Sequence, residues 1–222
     1  MGLGHSPRIV TDGLVLCLDA ANSRSYPKTG TTWTDLKGGN NGSLINSVSF
    51  DASNGGSLEF DATNERVEFG SISLDLYHIS FWVYLSSEIT SASSYSYPIQ
   101  YGSDAAQDVL GFGAVSAYAT DETFTFISSD NYKRTYIRDT IPAGWSYVSS
   151  NWNGAAYDIF LGAVSKTTYA APNGHAPLES STLLTVGSSA FLGKISNVSI
   201  YNRALTADEV RQNYLATKER YA

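Results

Sequence analysis

The sequence predicts an all-β protein in which two antiparallel sheets pack face to face. Three observations carry that prediction. From Gly13 to Ile200 the chain runs in short apolar or alternating stretches punctuated by Gly, Asn, Asp, Ser and Pro, and none of them shows helical spacing. Aromatic residues make up 13% of the chain, as 15 Tyr, 9 Phe and 4 Trp, and such side chains suit pleated, half-buried surfaces. Asn40-Asn41-Gly42, Asn54-Gly55-Gly56 and Asn153-Gly154 supply residues that tolerate positive φ and read as tight reversals.

Taken in order, twelve strands are expected. Residues 14–19 form the first, an apolar run ending at Asp19. Residues 43–45, 48–51, 57–60 and 66–69 follow, separated by the Asn and Gly turns. The run Ile79-Ser80-Phe81-Trp82-Val83 marks a strand over 79–85, and shorter ones are read at 109–113 and 123–128. Residues 145–152 and 157–164 flank Asn153-Gly154 as a hairpin, and 183–186 and 193–201 complete the set. Residues 86–98 and 170–182, rich in Ser, Tyr and Pro, are read as surface loops. A helix is expected over 207–219, because Thr206-Ala207-Asp208-Glu209 is a capping box, with Leu205 and Val210 placed as a hydrophobic staple. Val210 and Tyr214 lie one turn apart and would dock that helix on the sandwich. With no repeat and no linker, residues 1–222 read as one domain with an N-terminal arm over 1–12.

Composition excludes several classes. Fourteen Lys and Arg against 21 Asp and Glu give a net charge of −7, and the scattered basic residues argue against a nucleic-acid partner. The longest apolar stretch, from Gly13 to Leu18, falls far short of the ~20 residues that span a bilayer, so no membrane insertion is expected. The opening MGLGHSPRIV lacks the basic start and apolar centre of a secretory signal. Cys17 is the only cysteine, which forbids an intrachain disulfide and predicts a buried, inert thiol.

A set of short pieces in fixed order carries more information. They are Asp12-Gly13-Leu14-Val15-Leu16-Cys17-Leu18-Asp19-Ala20, Ser25-Tyr26-Pro27, Thr31-Thr32-Trp33-Thr34-Asp35, Asn40-Asn41-Gly42 and Gly56-Ser57-Leu58-Glu59-Phe60-Asp61. Ile79 to Val83, Trp145-Ser146-Tyr147-Val148 and the ending from Leu192 to Thr206 follow. In this order they resemble laminin G-like jelly-roll domains of the concanavalin A-like lectin type, over nearly the whole chain. The resemblance implies a two-sheet antiparallel jelly roll. Some such domains carry a calcium site, but Leu161-Gly162 and Asn197 stand here where those relatives tend to have carboxylates. A hard cation needs several oxygen ligands, so no obligatory metal or other cofactor is expected. The start Gly4-His5-Ser6-Pro7-Arg8-Ile9-Val10 through Val15 is similar to virion structural proteins of tailed bacteriophages. That similarity implies a protein that folds in host cytoplasm and acts on the virion surface, contacting other virion proteins or further copies of itself.

The chemistry legible in the residues is sparse. Relatives of this sandwich that cleave β-glucans use paired carboxylates on one strand, ~5–5.5 Å apart in retaining enzymes. Glu59-Phe60-Asp61-Ala62-Thr63-Asn64-Glu65 comes near, but its third carboxylate is displaced and Asp61 to Asn64 reads as a turn. No catalysis is therefore expected. His5, His78 and His175 lack metal-ligand spacing. His5 and His175 are read as solvated and His78 as a strand start. Trp33, Trp82, Trp145 and Trp152 are expected to fill the core. The candidate ligand-binding residues are Tyr95, Tyr97 and Tyr101, in or beside a Ser-rich loop, and Tyr132 in Asp130-Asn131-Tyr132-Lys133. A flat ring offers apolar contact to a sugar face while neighbouring Asp, Asn or Ser groups bond its hydroxyls. The same rings would serve a protein interface or a passive surface, and the sequence leaves the three open. Two roles follow: a non-enzymatic capsid decoration or fibre-type component able to touch host glycans, and, as the alternative, a free carbohydrate-binding lectin-like module.

Overall fold

The computed structural model describes residues 7–87, 96–101, 109–112, 124–128, 133–137, 141–152, 157–166, 169–170, 178–188 and 191–222. In chain order these residues form β1 (Leu14–Asp19), β2 (Thr32–Trp33), β3 (Gly42–Ile45), β4 (Ser49–Asp51), β5 (Ser57–Phe60) and β6 (Arg66–Leu76). Next come β7 (His78–Leu85), β8 (Ser96–Tyr101), β9 (Val109–Phe112), β10 (Phe124–Ser128), β11 (Lys133–Ile137) and β12 (Gly144–Trp152). The chain closes with β13 (Tyr157–Leu161), β14 (Val164–Ser165), β15 (Tyr169–Ala170), β16 (Leu178–Ser188), β17 (Gly193–Tyr201) and α1 (Ala207–Thr217).

Two antiparallel sheets result, as the sequence predicted. One runs β14-β13-β12-β7-β17-β5-β4, with β1 also on β17. β17 is shared along its length: Lys194 and Ile195 face Glu59 and Leu58 of β5, while Asn197 to Ile200 face Asp19 to Leu16 of β1. The other sheet runs β15-β11-β10-β9-β8-β16-β6-β3-β2. Between the sheets lies one apolar core, to which Leu16, Leu18, Phe60, Phe81, Val83 and Ile195 come from the first sheet and Val67, Ile99, Leu184 and Val186 from the second. Each such side chain stabilises by roughly 1.5–3 kcal/mol through removal from water.

Strands 14–19, 57–60 and 193–201 fall where the sequence places them, and three others differ for local reasons. β6 continues past Phe69 to Leu76, because Gly70, at φ 67, sits opposite a register shift in the β16 ladder between Leu183 and Thr185. A bulge therefore bends the strand where the sequence signalled its end. β8 takes in Ser96, Tyr97 and Pro98 from the segment read as a loop. Its ladder with β9 shifts register between Ser96 and Ile99, at the residue that has no N–H to give. β16 begins at Leu178, inside the second expected loop; β2, β11 and β15 are additional strands, and the strand expected over 157–164 ends at Leu161, with Val164–Ser165 forming β14. The reversal at Asn54-Gly55-Gly56 is present, with φ of 53, 87 and 135. Gly42 instead opens β3, and Gly39 makes the turn before it at φ 81. Asn153-Gly154 lies outside the described residues.

The loop that precedes β3 is organised by Asp35. Its carboxylate accepts hydrogen bonds from the backbone N–H groups of Cys17 (2.9 Å), Lys37 (2.9 Å), Gly38 (2.8 Å) and Asn40 (3.2 Å). This ties the loop to β1.

α1 lies on the outer face of the first sheet. The capping box is formed, with the Glu209 N–H donating to Thr206 Oγ1 (3.3 Å) and the Thr206 N–H to Glu209 Oε2 (2.8 Å). Leu205 and Val210 are buried together with Val10, Leu14, Phe160 and Tyr201 in a second, smaller cluster. Arg203 clamps Glu209 from the side at 2.6 Å and holds that carboxyl down at about 2. The helix ends at Thr217, and Lys218–Arg220 continues as a single 3₁₀ turn. The N-terminal arm is anchored to the helix, since the Val10 N–H donates to Asn213 Oδ1 (2.8 Å) and Gln212 Nε2 to the Arg8 carbonyl (2.7 Å).

Candidate functional site

β7 and β12 alternate strictly, so their outward residues fall into register. Tyr84 faces Trp145, Trp82 faces Tyr147, Ser80 faces Ser149 and His78 faces Asn151. This row, half polar and half aromatic, is what α1 covers. Its two halves are covered differently.

At the polar half the packing is closed. His78 is fully buried, and burial pushes its imidazole down to about 3, so the ring is neutral. Its Nδ1 lies 3.2 Å from Asn151 Oδ1. Asn151 in turn donates from Nδ2 to the Leu205 carbonyl (3.0 Å) and accepts from the Leu205 N–H (2.8 Å). The strand-start reading of His78 holds, and the ring also helps seat the helix entry. His5 and His175 lie outside the described residues.

At the aromatic half the packing leaves a cleft of about 440 Å³, within the ~300–1,000 Å³ range of small-molecule sites. Trp82 forms its floor and donates from Nε1 to Thr217 Oγ1 at 2.8 Å. The Tyr221 ring stacks on Trp82 at 4.1 Å between centroids and 25° between planes, and Tyr214 also stacks on Trp82, at 5.9 Å and 24°. Trp145 leans on Tyr221 at 4.8 Å and meets Tyr84 edge-on at 5.6 Å. Trp145, Tyr214 and Tyr221 are each half-buried. Their polar ends are partly engaged within the chain: Trp145 Nε1 donates to Asn54 Oδ1 (3.2 Å) and the Tyr221 hydroxyl to Ser196 Oγ (2.6 Å). Burial pushes the Tyr221 phenol up to about 12, so it stays protonated.

The expectation that all four tryptophans fill the core is therefore corrected. Trp33 and Trp152 do lie between the sheets. Trp82 is buried outside them, under the helix, and Trp145 stands half-exposed in the cleft. Phe81 and Val83, on either side of Trp82, take the inward positions, as does Val148 on β12.

Glu219 lines the cleft, and the carboxylates of Asp51, Glu59 and Asp19, outside its lining, are engaged in structural pairs. Lys194 bridges Asp51 and Glu59 (3.4 Å to Glu59) and lowers the Asp51 carboxyl to about 2 by donating to it. Arg220 donates to Asp19 at 2.9 Å, and Lys218 lies 3.6 Å from Glu219. Glu65 is buried at 6% exposure, where its Oε2 accepts the N–H groups of Asp61 (2.7 Å) and Ala62 (3.2 Å). The stretch from Asp61 to Asn64 is thus a turn stapled by Glu65, and Glu59 points to Lys194. Among the described residues no three His, Cys, Asp or Glu side chains gather as a metal site would require. Cys17 is partly buried, and burial raises its thiol to about 11.

Of the predicted ligand-binding tyrosines, Tyr97 and Tyr101 lie on β8 in the other sheet, so Tyr97 sits on a strand rather than in the expected loop. Tyr97 is half-buried. Tyr95 and Tyr132 lie outside the described residues. Tyr97 is not among the residues that line the aromatic cleft. The sequence signal that would have found the cleft is the outward set Trp82, Tyr84, Trp145 and Tyr147, read as alternate residues on two strands, together with Tyr214 and Tyr221.

Comparisons with known proteins place this geometry in context. A family model described as "Concanavalin A-like lectin/glucanases superfamily" matches residues 61–211. A search of curated protein sequences finds no match. Domain 4 of a GH43 extracellular arabinanase from Geobacillus stearothermophilus, solved in complex with arabinotriose, superposes with a TM-score of 0.68 at 15% identity. The match covers 91% of this chain and 98% of that domain. The receptor-binding domain of a botulinum neurotoxin C/D mosaic serotype gives 0.64 at 11% identity, covering 91% of this chain and 51% of that one. Trypanosoma rangeli sialidase, in complex with sialic acid, gives 0.58 at 12% identity over 98% of this chain and 36% of the sialidase.

Proposed function

The chain belongs to the concanavalin A-like lectin/glucanases superfamily, and from that membership we propose that it recognises carbohydrate without cleaving it, as an outward-facing structural component of a bacteriophage particle. One observation carries the reading: the outer face of the first sheet holds a cleft lined by partly buried aromatic residues, while Asp51, Glu59 and Asp19 are engaged in ion pairs. Retaining glycosidases need two carboxyl groups ~5–5.5 Å apart across the scissile bond, with one poised as acid. Glu65 is occupied as a turn staple and Glu59 faces Lys194, which supports binding over hydrolysis. The arabinotriose complex of the similar arabinanase domain supports a glycan as the ligand class.

The virion role rests on the similarity of the opening from Gly4 to Val15 to phage structural proteins. In this reading the protein folds in host cytoplasm, joins other virion proteins or further copies of itself, and presents the sandwich outward. The test combines a glycan array, a reducing-end assay on the bound glycans and gold-labelled antibody on purified particles. Binding without release of reducing ends, and label on the particle surface, are expected. Hydrolysis by the purified protein would overturn the non-catalytic reading. Absence of label from particles would leave the free lectin-like module in its place.

A further inference from the structure

Within that carbohydrate-binding reading, we infer that the ligand site is the cleft between Trp145, Tyr214 and Tyr221 on the helix-covered face, and that it takes a neutral glycan. The argument starts from which parts of the rings remain available. Trp145 Nε1 is used by Asn54 and the Tyr221 hydroxyl donates to Ser196, so these contacts fix the rings, while Trp145, Tyr214 and Tyr221 all stay only partly buried where they line the cleft. A fixed aromatic face loses little rotamer freedom on binding, and its natural partner is the flat C–H face of a sugar ring. Trp82, locked by Thr217 beneath Tyr221, backs the platform from below.

Charge selects among sugars. An anionic glycan needs a cation with donors to spare, as a carboxylate or sulfate is costly to desolvate unpaired. Lys218 lines the cleft, and Glu219, 3.6 Å away, offsets its charge; Arg220 and Lys194 lie outside the lining and pair with Asp19 and with Asp51 and Glu59. Glu219, with its side chain 74% exposed, adds negative charge at the rim of a protein whose net charge is already −7. An uncharged sugar meets no such penalty, and its hydroxyls find acceptors in Glu219.

The test measures binding of the intact chain to neutral oligosaccharides (arabinotriose, cellotetraose, maltotetraose and chitotetraose) and to the anionic sialyllactose, by calorimetry, after a broad array has identified which glycans are retained. The expected result is binding of a neutral member, lost by about tenfold or more in Trp145→Ala, as for removal of an anchoring ring. Trp145→Phe, which keeps a ring against Tyr221 and Tyr84, should lose less and serves as the folded control if the alanine variant loosens the C-terminal turn. Tyr97→Ala should bind like the parent. Unchanged affinity in both Trp145 variants would overturn the site while leaving carbohydrate recognition intact. Retention of sialyllactose with no neutral glycan would overturn the ligand class. A parent protein that retains nothing on the array would overturn this inference together with the reading it rests on.

Discussion

β7 is buried on both faces, and the two faces are built from different materials. Inward it presents Ile79, Phe81, Val83 and Leu85 to the core between the sheets. Outward it presents His78, Ser80, Trp82 and Tyr84 to a helix from the far end of the chain and to the turn after it. The inner face is held by hydrocarbon packing, where shape and volume decide the energy. On the outer face hydrogen bonds fix side chains one by one: His78 to Asn151, Asn151 to Leu205 and Trp82 to Thr217. An inner face has to be closed to be stable, whereas an outer face covered by one helix can remain partly open, and that is where a cleft lined by partly buried aromatic residues is affordable.

The contrast predicts a ranked set of effects. Phe81→Ala, at a fully buried inward position, should cost about 3–5 kcal/mol in denaturant unfolding. A cost below ~1 kcal/mol would mean that the inner face is not the rigid one. Asn151→Ala removes both bonds to Leu205 and leaves its backbone N–H buried, and should cost about 2–3 kcal/mol. It should also release the helix entry, read as faster amide exchange around Leu205 with slower loss in the inner strands.

His78 adds a pH dependence to the outer face only. Its folded pKa is lowered from 6.5 to about 3 by burial, so the unfolded chain takes up a proton that the folded one refuses. Stability is full above pH 6.5 and falls as the pH drops toward 3, by up to about 1.4 kcal/mol per pH unit, or roughly 2 kcal/mol by pH 5. Asp51 and Glu209, whose carboxyls are lowered from 3.8 and 4.5 to about 2, lose their contributions only below those starting values. Unfolding midpoints between pH 6.5 and 5 therefore isolate the imidazole, and His78→Gln should flatten the curve there. The smallest effect is expected at Thr206→Ala, which removes the helix cap for about 1 kcal/mol and should leave the inter-sheet core untouched.

How much was legible in the sequence differs between these two faces. The strand Leu14–Asp19, the strand Ser57–Phe60 and the helix start at Thr206 were readable, because alternation, turn residues and a capping box are local signals. The positions of Trp82 and Trp145 were not. In a strand buried on both sides the two-residue period flattens, and Trp82 between Phe81 and Val83 carries no mark of which way it faces. The loop reading of Tyr97 failed for a related reason, since the Ser, Tyr and Pro content of 86–98 signalled a loop where the ladder accommodates Pro98 with a register shift.

The sequence by itself determined that the chain is a sandwich of short antiparallel strands closed by one capped helix, since those signals lie within a few residues of one another. Only the tertiary structure decided that Tyr214 and Tyr221 come to rest on Trp82, and that Asn54 holds Trp145 in place. Those partners are separated by 91 residues or more, and the contacts exist only once the helix has folded back over the sheet. No local pattern encodes that return, because it is the burial of Leu205 and Val210 against Leu14, Phe160 and Tyr201 that sets where the helix lies.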